Sequence, residues 1–320
     1  MAIRVALLVA ACWALRRELV GISPHQLAAR IAGYGPRHVL LGLACTVGSF
    51  LVLGVIEVIA LRQTRPASLS VTSVEVPRGA AMMTSFVANA LSQSIGLALL
   101  TGAAVRLRAY ARRGLDAVWV ARVTAFATLT TTLGLLAMGA AALLTSSAPL
   151  HVRGVTIPVR LVGGVLALLV IAYLLWGALG QRDAVGRGRW RLARPSLGLA
   201  VAQVGLSALD WLFAGTVLFA FIPSALGVGY WMLMRAFMIA QTVGVTSHVP
   251  GGAGVLEVVV LALLAGTAPA ADRAAVVASL VMFRVVYYLV PLVAAIVVAG
   301  VTELRRSASV PRALEGAHVG

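Results

Sequence analysis

Long apolar stretches set the pattern of this chain. Residues 38–61, 117–144, 160–180, 196–222 and 274–300 are apolar runs, each at or past the roughly 18–20 residues that carry a helix across a bilayer. Two further apolar regions are interrupted. Residues 80–101 carry Thr84, Ser85, Asn89, Ser92, Gln93 and Ser94, a polar face that lipid does not tolerate and that is expected to look into protein or a cavity. Residues 226–243 lead into SHVPGGAGVLEVVVLALLAG (247–266), where a proline and glycines run into an apolar helix with one carboxylate, Glu257, near its start. Residues 5–15 predict a short first membrane helix, because Arg16-Arg17-Glu18 follows it in place of a small-residue cleavage site. Ser23-Pro24 opens an amphipathic stretch with Leu27, Ala28 and Ile31 on one face, expected at the membrane interface. The pattern predicts an all-α, polytopic membrane helix bundle over residues 1–300, with about eight membrane segments, one or two of them re-entrant or broken. Residues 301–320 form a polar tail.

Composition fixes the class. The chain is 61% hydrophobic and 11% charged, whereas soluble domains carry about 25% charged residues. All 26 basic residues are arginine, and the formal net charge is +16. Most of these arginines fall in short stretches between apolar runs, which is the positive-inside signal and an attraction to anionic headgroups, not a nucleic-acid footprint. With eight crossings, residues 16–37, 102–116, 181–195 and the tail share one side, sixteen arginines against six, and that side is expected to be cytoplasmic. Cys12 and Cys45 read as packing residues. No metal-ligand spacing occurs, and a lysine-free chain has no P-loop lysine. No metal, cofactor or catalytic residue is expected, so any transport is passive or driven by an ion gradient or the membrane potential.

Glu57, Asp210, Arg235, Glu257 and Arg284 fall inside apolar runs, where insertion scales charge roughly 2.5–3.5 kcal/mol each at the bilayer centre. Two readings stand: ion pairs that fix helix packing, or the lining of a polar route. Pro250 removes a backbone donor, and Gly251, Gly252 and Gly254 open dihedrals closed to other residues. At membrane depth such backbone is expected to be buried in protein or to face water. The helix after Gly254 would then offer its amides to an anion such as a lipid phosphate, the alternative being an interfacial loop. In SQSIGLALLTGAAVRLRAYARRG (92–114), Gly96 and Gly102 precede a cationic helix with Arg106, Tyr110 and Arg113 on one face. That face suits a phospholipid headgroup, or is an ordinary positive-inside loop. Each half also has an acidic membrane helix followed by an interrupted segment: Glu57 then Asn89, Asp210 then Pro250. Paired interruptions of this kind point to a transporter site.

Four motifs in order, GAAVRLRAYARRGLD (102–116), ALDWLFAGTVLFAFIP (208–223), VPGGAGVLE (249–257) and FRVVYYLVP (283–291), resemble the lysylphosphatidylglycerol synthase transmembrane region, the flippase domain of the bacterial multiple peptide resistance factor. The resemblance spans about residues 20–300. It implies a multi-pass protein of the bacterial inner membrane, with re-entrant helices, that moves aminoacylated or related phospholipids between leaflets. Gly251-Gly252-Ala253-Gly254 stands where the family has glycine-glycine-leucine-glycine, and Glu57 stands for its aspartate. The resemblance also implies a soluble aminoacyltransferase domain, which the tail is too short to hold; a separate lipid-modifying enzyme and a second copy of the chain are the candidate protein partners. On this reading Glu57, Asp210 and Glu257 receive amines, Arg106, Arg108, Arg235 and Arg284 receive phosphate, and Tyr287 and Tyr288 anchor or gate beside Pro291. The alternatives are a small-solute or ion secondary transporter, and a non-transporting membrane partner of a lipid-modifying or glycosyl transferase.

Overall fold

The computed structural model describes residues 24–65, 75–95, 98–145, 150–152, 155–179, 194–247, 249, 252–266 and 268–302. The expected first helix at 5–15, most of the loop 181–195 and nearly all of the tail lie outside the described residues, as do Pro250 and Gly251.

Ten helices follow in order: α1 (Pro24–Ala32), α2 (Pro36–Gln63), α3 (Arg78–Ile95), α4 (Ala98–Ala111), α5 (Ala117–Leu144), α6 (Val159–Ala178), α7 (Leu197–Phe221), α8 (Tyr230–Ser247), α9 (Val255–Ala265) and α10 (Ala270–Thr302). Local chemistry sets their ends. Pro36 opens α2, where its missing N–H has no intrahelical partner to lose. The Asp116 carboxylate accepts from the Trp119 N–H at 2.7 Å to cap α5, and the Ser196 hydroxyl accepts from the Leu199 N–H at 3.3 Å to cap α7. A small hairpin, β1 (Leu150–Val152) with β2 (Val155–Ile157), joins α5 to α6. It lies between the apolar runs 117–144 and 160–180, and its signal is the placing of Val152, Val155 and Ile157 about Arg153-Gly154.

Among the described residues, five helices, α2, α5, α6, α7 and α10, are long and apolar enough to cross a membrane. The remaining apolar helices, α3 with α4 and α8 with α9, form two helical hairpins, the first and the second. In the first, Thr84 meets Tyr110, and a Cβ on Gly102 would stand 2.8 Å from Ser92 Oγ. As one residue number rises its partner's falls, so α4 runs back along α3. In the second, Gly244 and Gly252 close on each other, each with an added Cβ 3.8 Å from the other's Cα.

The same reasoning gives the relative directions of α2, α5, α7 and α10. Gly42 with Phe221 and Ser49 with Asp210 set α2 and α7 antiparallel. Tyr34 with Ser279 and Ser49 with Tyr287 set α10 parallel to α2, and Thr130 with Gln203 and Thr131 with Trp211 set α5 parallel to α7. Two four-helix units result, α2–α5 and α7–α10, with lengths of 28, 18, 14 and 28 residues against 25, 18, 11 and 33. They are inverted relative to each other, with α6 as the link between them. This corrects the sidedness read from eight crossings. Residues 98–111 are helix, and the hairpin returns 112–116 to the end where α2 finished, opposite residues 24–37.

The main apolar core lies among α7, α8, α9 and α10 around Phe221, Leu233, Phe237, Leu261 and Phe283, and a smaller one gathers Tyr110, Trp119 and Val123 near the end of α4. Helix α6 keeps Leu161, Leu168, Leu169 and Leu175 exposed, an apolar face for lipid. Close approach of α5 to α7 depends on Gly134, where any Cβ would collide with Ser207, as small residues permit in membrane helix packing.

Candidate functional site

The first polar cluster joins the first hairpin to α2. Arg106 and Tyr110 lie one turn apart on one face of α4 and meet Glu57. Arg106 Nε donates to Glu57 Oε1 at 2.9 Å and Oε2 at 3.0 Å, Nη2 donates to Oε2 at 2.8 Å, and the Tyr110 hydroxyl donates to Oε1 at 2.9 Å. Glu57 and Tyr110 are fully buried, and Arg106 nearly so. Gly102, one turn earlier, is the reason they fit: its missing Cβ leaves room for Ser92 Oγ and for Arg106 Nη1, which a Cβ would approach to 3.1 Å. Gly102, Arg106 and Tyr110 thus form one stripe, a gap followed by two donors to a carboxylate.

The second cluster sits at the second hairpin. Gly252 and Gly254 have φ of +57° and +78°, a region that side chains rarely adopt. The backbone they shape starts α9, whose first turn carries Glu257. One carboxylate oxygen, Oε2, accepts from the Gly254 N–H at 2.8 Å; the other, Oε1, accepts from Arg284 Nε at 2.6 Å. Arg284 also donates through Nη2 to the Gly252 carbonyl at 3.1 Å and lies 4.6 Å above the Tyr288 ring centroid. The helix-terminal amide expected to await a phosphate is therefore held by the chain's own carboxylate. This pair is also the more accessible of the two, with side chains 23% and 15% exposed against 7% and 1% for Arg106 and Glu57.

The third cluster lies where α2, α7 and α10 meet. Ser49 Oγ donates to Asp210 Oδ1 at 2.5 Å and lies 2.9 Å from the Tyr287 hydroxyl, and all three residues are buried. Tyr287, Tyr288 and Arg284 share a π-helical stretch, Arg284–Leu289, within α10; such stretches recur at functional sites.

The three carboxylates thus enter three networks, two of them bridged by the π-helical stretch. Asn89 is half-buried and donates to its own helix, to the Ser85 carbonyl at 2.9 Å and hydroxyl at 3.1 Å. Arg108 is exposed and Arg235 half-buried, whereas the arginines that hold Glu57 and Glu257 are Arg106 and Arg284. Arg113 donates to the Ala109 carbonyl and does not join Arg106. Sequence reasoning passed over Ser49, a lone hydroxyl in an apolar run, and the Tyr173–Gln203–Thr130 chain (2.6 and 2.8 Å) that ties α5, α6 and α7 together.

Five apolar spans, lipid-facing side chains and buried charge pairs define a multi-pass helical protein of the inner membrane. Within that class, the chain belongs to the family of the uncharacterized protein slr0712 of Synechocystis sp., to which it is 33% identical over 222 residues, covering 68% of this chain and 67% of that protein. It is 27% identical over 219 residues to the inner membrane protein YbhN of Escherichia coli, with 68% and 67% covered. It is 22% identical over 263 residues to the phosphatidylglycerol lysyltransferase of Staphylococcus haemolyticus, a match that covers 82% of this chain and 29% of that protein. No family model matches the chain.

Proposed function

We propose that this protein moves phospholipid, with an aminoacylated or related headgroup, between the leaflets of the inner membrane, and that it acts as a translocase without a catalytic residue of its own. The observation that carries the reading is the Glu257–Arg284 pair, a partly accessible carboxylate and guanidinium held at a backbone break inside the bundle. A lysylated headgroup bears an ammonium and a phosphate, and this pair offers one complement for each. Glu257 turns from Arg284 to the ammonium, Arg284 takes the phosphate through its planar fork, and the Gly254 N–H that Glu257 leaves becomes an anion donor at a helix start. Glu57, Arg106 and Tyr110, more deeply buried, hold the first hairpin against α2. Similarity to a phosphatidylglycerol lysyltransferase along most of this chain supports phospholipid as the substrate class.

Leaflet exchange of labelled lysyl-phosphatidylglycerol and plain phosphatidylglycerol in proteoliposomes tests the proposal. The wild-type protein is expected to exchange both faster than protein-free vesicles do, and Glu257→Gln, which keeps shape and removes charge, to slow the lysylated lipid more than the plain one. Exchange of both at the protein-free rate would overturn the reading, and solute uptake under those conditions would move the protein to the solute transporters.

A further inference from the structure

Two of the three intramembrane carboxylates hold an arginine, and the third does not. Glu57 is paired with Arg106 and Glu257 with Arg284, whereas Asp210, buried in the middle of α7, bonds only to the Ser49 hydroxyl among the described residues. Helix α2 presents Ser49, its own acid Glu57 being committed to Arg106. Helix α10 presents Tyr287, through Ser49, while Arg284 is turned to Glu257. The cations of α5, α6 and α8 are Arg122, Arg160 and Arg235, whereas the hydrogen bond to Asp210 comes from Ser49. A carboxylate buried in an apolar bundle and bonded to a neutral hydroxyl is costly to keep ionised. One carboxylate and two hydroxyls are also too few oxygens to coordinate a hard metal cation.

We propose that Asp210 is a proton-binding site, and that the proton it takes up and releases is the coupling ion of this protein. The hydrogen-bond chain gives the carboxyl a way to report its state. While Asp210 is an anion, Ser49 must give it the one hydroxyl proton it has, and Tyr287 can then only donate to Ser49. Once Asp210 holds a proton it becomes the donor, Ser49 is released, and the direction of its bond to Tyr287 can reverse. Tyr287 is three residues from Arg284 on one π-helical stretch, so the event at Asp210 is passed to the Glu257–Arg284 pair. The coupling role rests on the translocase reading; the proton site does not.

Infrared difference spectroscopy of the purified protein in lipid nanodiscs, titrated across neutral pH, reads the site without any transport assay. The expected result is a carbonyl band of a protonated carboxyl that disappears on alkalinisation, is lost in Asp210→Asn, persists in Asp210→Glu and Glu257→Gln, and shifts its midpoint in Ser49→Ala. Absence of the band in wild type, its survival in Asp210→Asn, or a band that answers to sodium at fixed pH would overturn the proposal. Lipid exchange in vesicles with an imposed pH gradient then reads the coupling: wild type responds to the gradient and Asp210→Asn does not. Exchange indifferent to the gradient would overturn the coupling role, and no exchange with the band present would defeat the lipid reading while the proton site stands.

Discussion

Arg106 and Glu57 act as a unit. Each is buried, and each is the other's main compensation, so losing one partner strands a charge while losing both does not. Glu57→Gln or Arg106→Met alone is expected to cost about 3–5 kcal/mol, and the double variant Glu57→Leu with Arg106→Met less than either. Thermal unfolding in detergent checks this; losses that simply add would contradict it. Tyr110→Phe, which removes a hydrogen bond to a charged group, should cost about 1.5–3 kcal/mol. Much of this was legible in the chain, because intramembrane charge stands out against apolar runs. The partnerships were not. Arg106 and Arg108 look alike in sequence, yet two residues along a helix place them on nearly opposite faces, one buried and one exposed. Ser49 gave no signal, since a lone serine in an apolar run is unremarkable until an acid on another helix meets it.

At the scale of elements, the spans were legible and the turning points only in part. Hydropathy locates residues 117–144 as one span, which α5 matches, but it measures affinity for lipid and not direction. Residues 80–101 therefore read equally as a crossing or as a re-entrant segment, and part of the polar face that marked them, Thr84 and Ser92, is where α4 folds back. The break at PGGAG was visible because Gly252 and Gly254 need positive φ; that Glu257 would occupy the resulting amide was not. The hairpin register makes a sharp distinction between glycines. Gly102→Ala pushes on Ser92 and Arg106 and should lower the unfolding temperature, whereas a Cβ at Gly205 meets nothing within 4 Å. Gly205→Ala should therefore be neutral or stabilise by up to about 1 kcal/mol. Equal effects at the two positions would mean that α3 and α4 are not packed this closely.

At the scale of the whole molecule, each broken pair turns back and leaves two inverted units, with one charge pair inside each and the Ser49–Asp210 contact between them. Arginines then divide by end. Arg62, Arg65, Arg78, Arg108, Arg112 and Arg113 gather where α2 finishes and α4 returns, against Arg30, Arg37, Arg160 and Arg273 at the other end, so the first end is assigned to the cytoplasm. The most direct test is labelling of single cysteines, in a background without Cys12 and Cys45, by a membrane-impermeant maleimide on spheroplasts. Ala29→Cys, Ser224→Cys and Ala271→Cys are predicted to react from outside, and Gly79→Cys and Arg112→Cys only after permeabilisation. Reaction of Gly79→Cys and Arg112→Cys from opposite sides would show that residues 80–111 cross the membrane, and would contradict the inverted architecture on which the site depends.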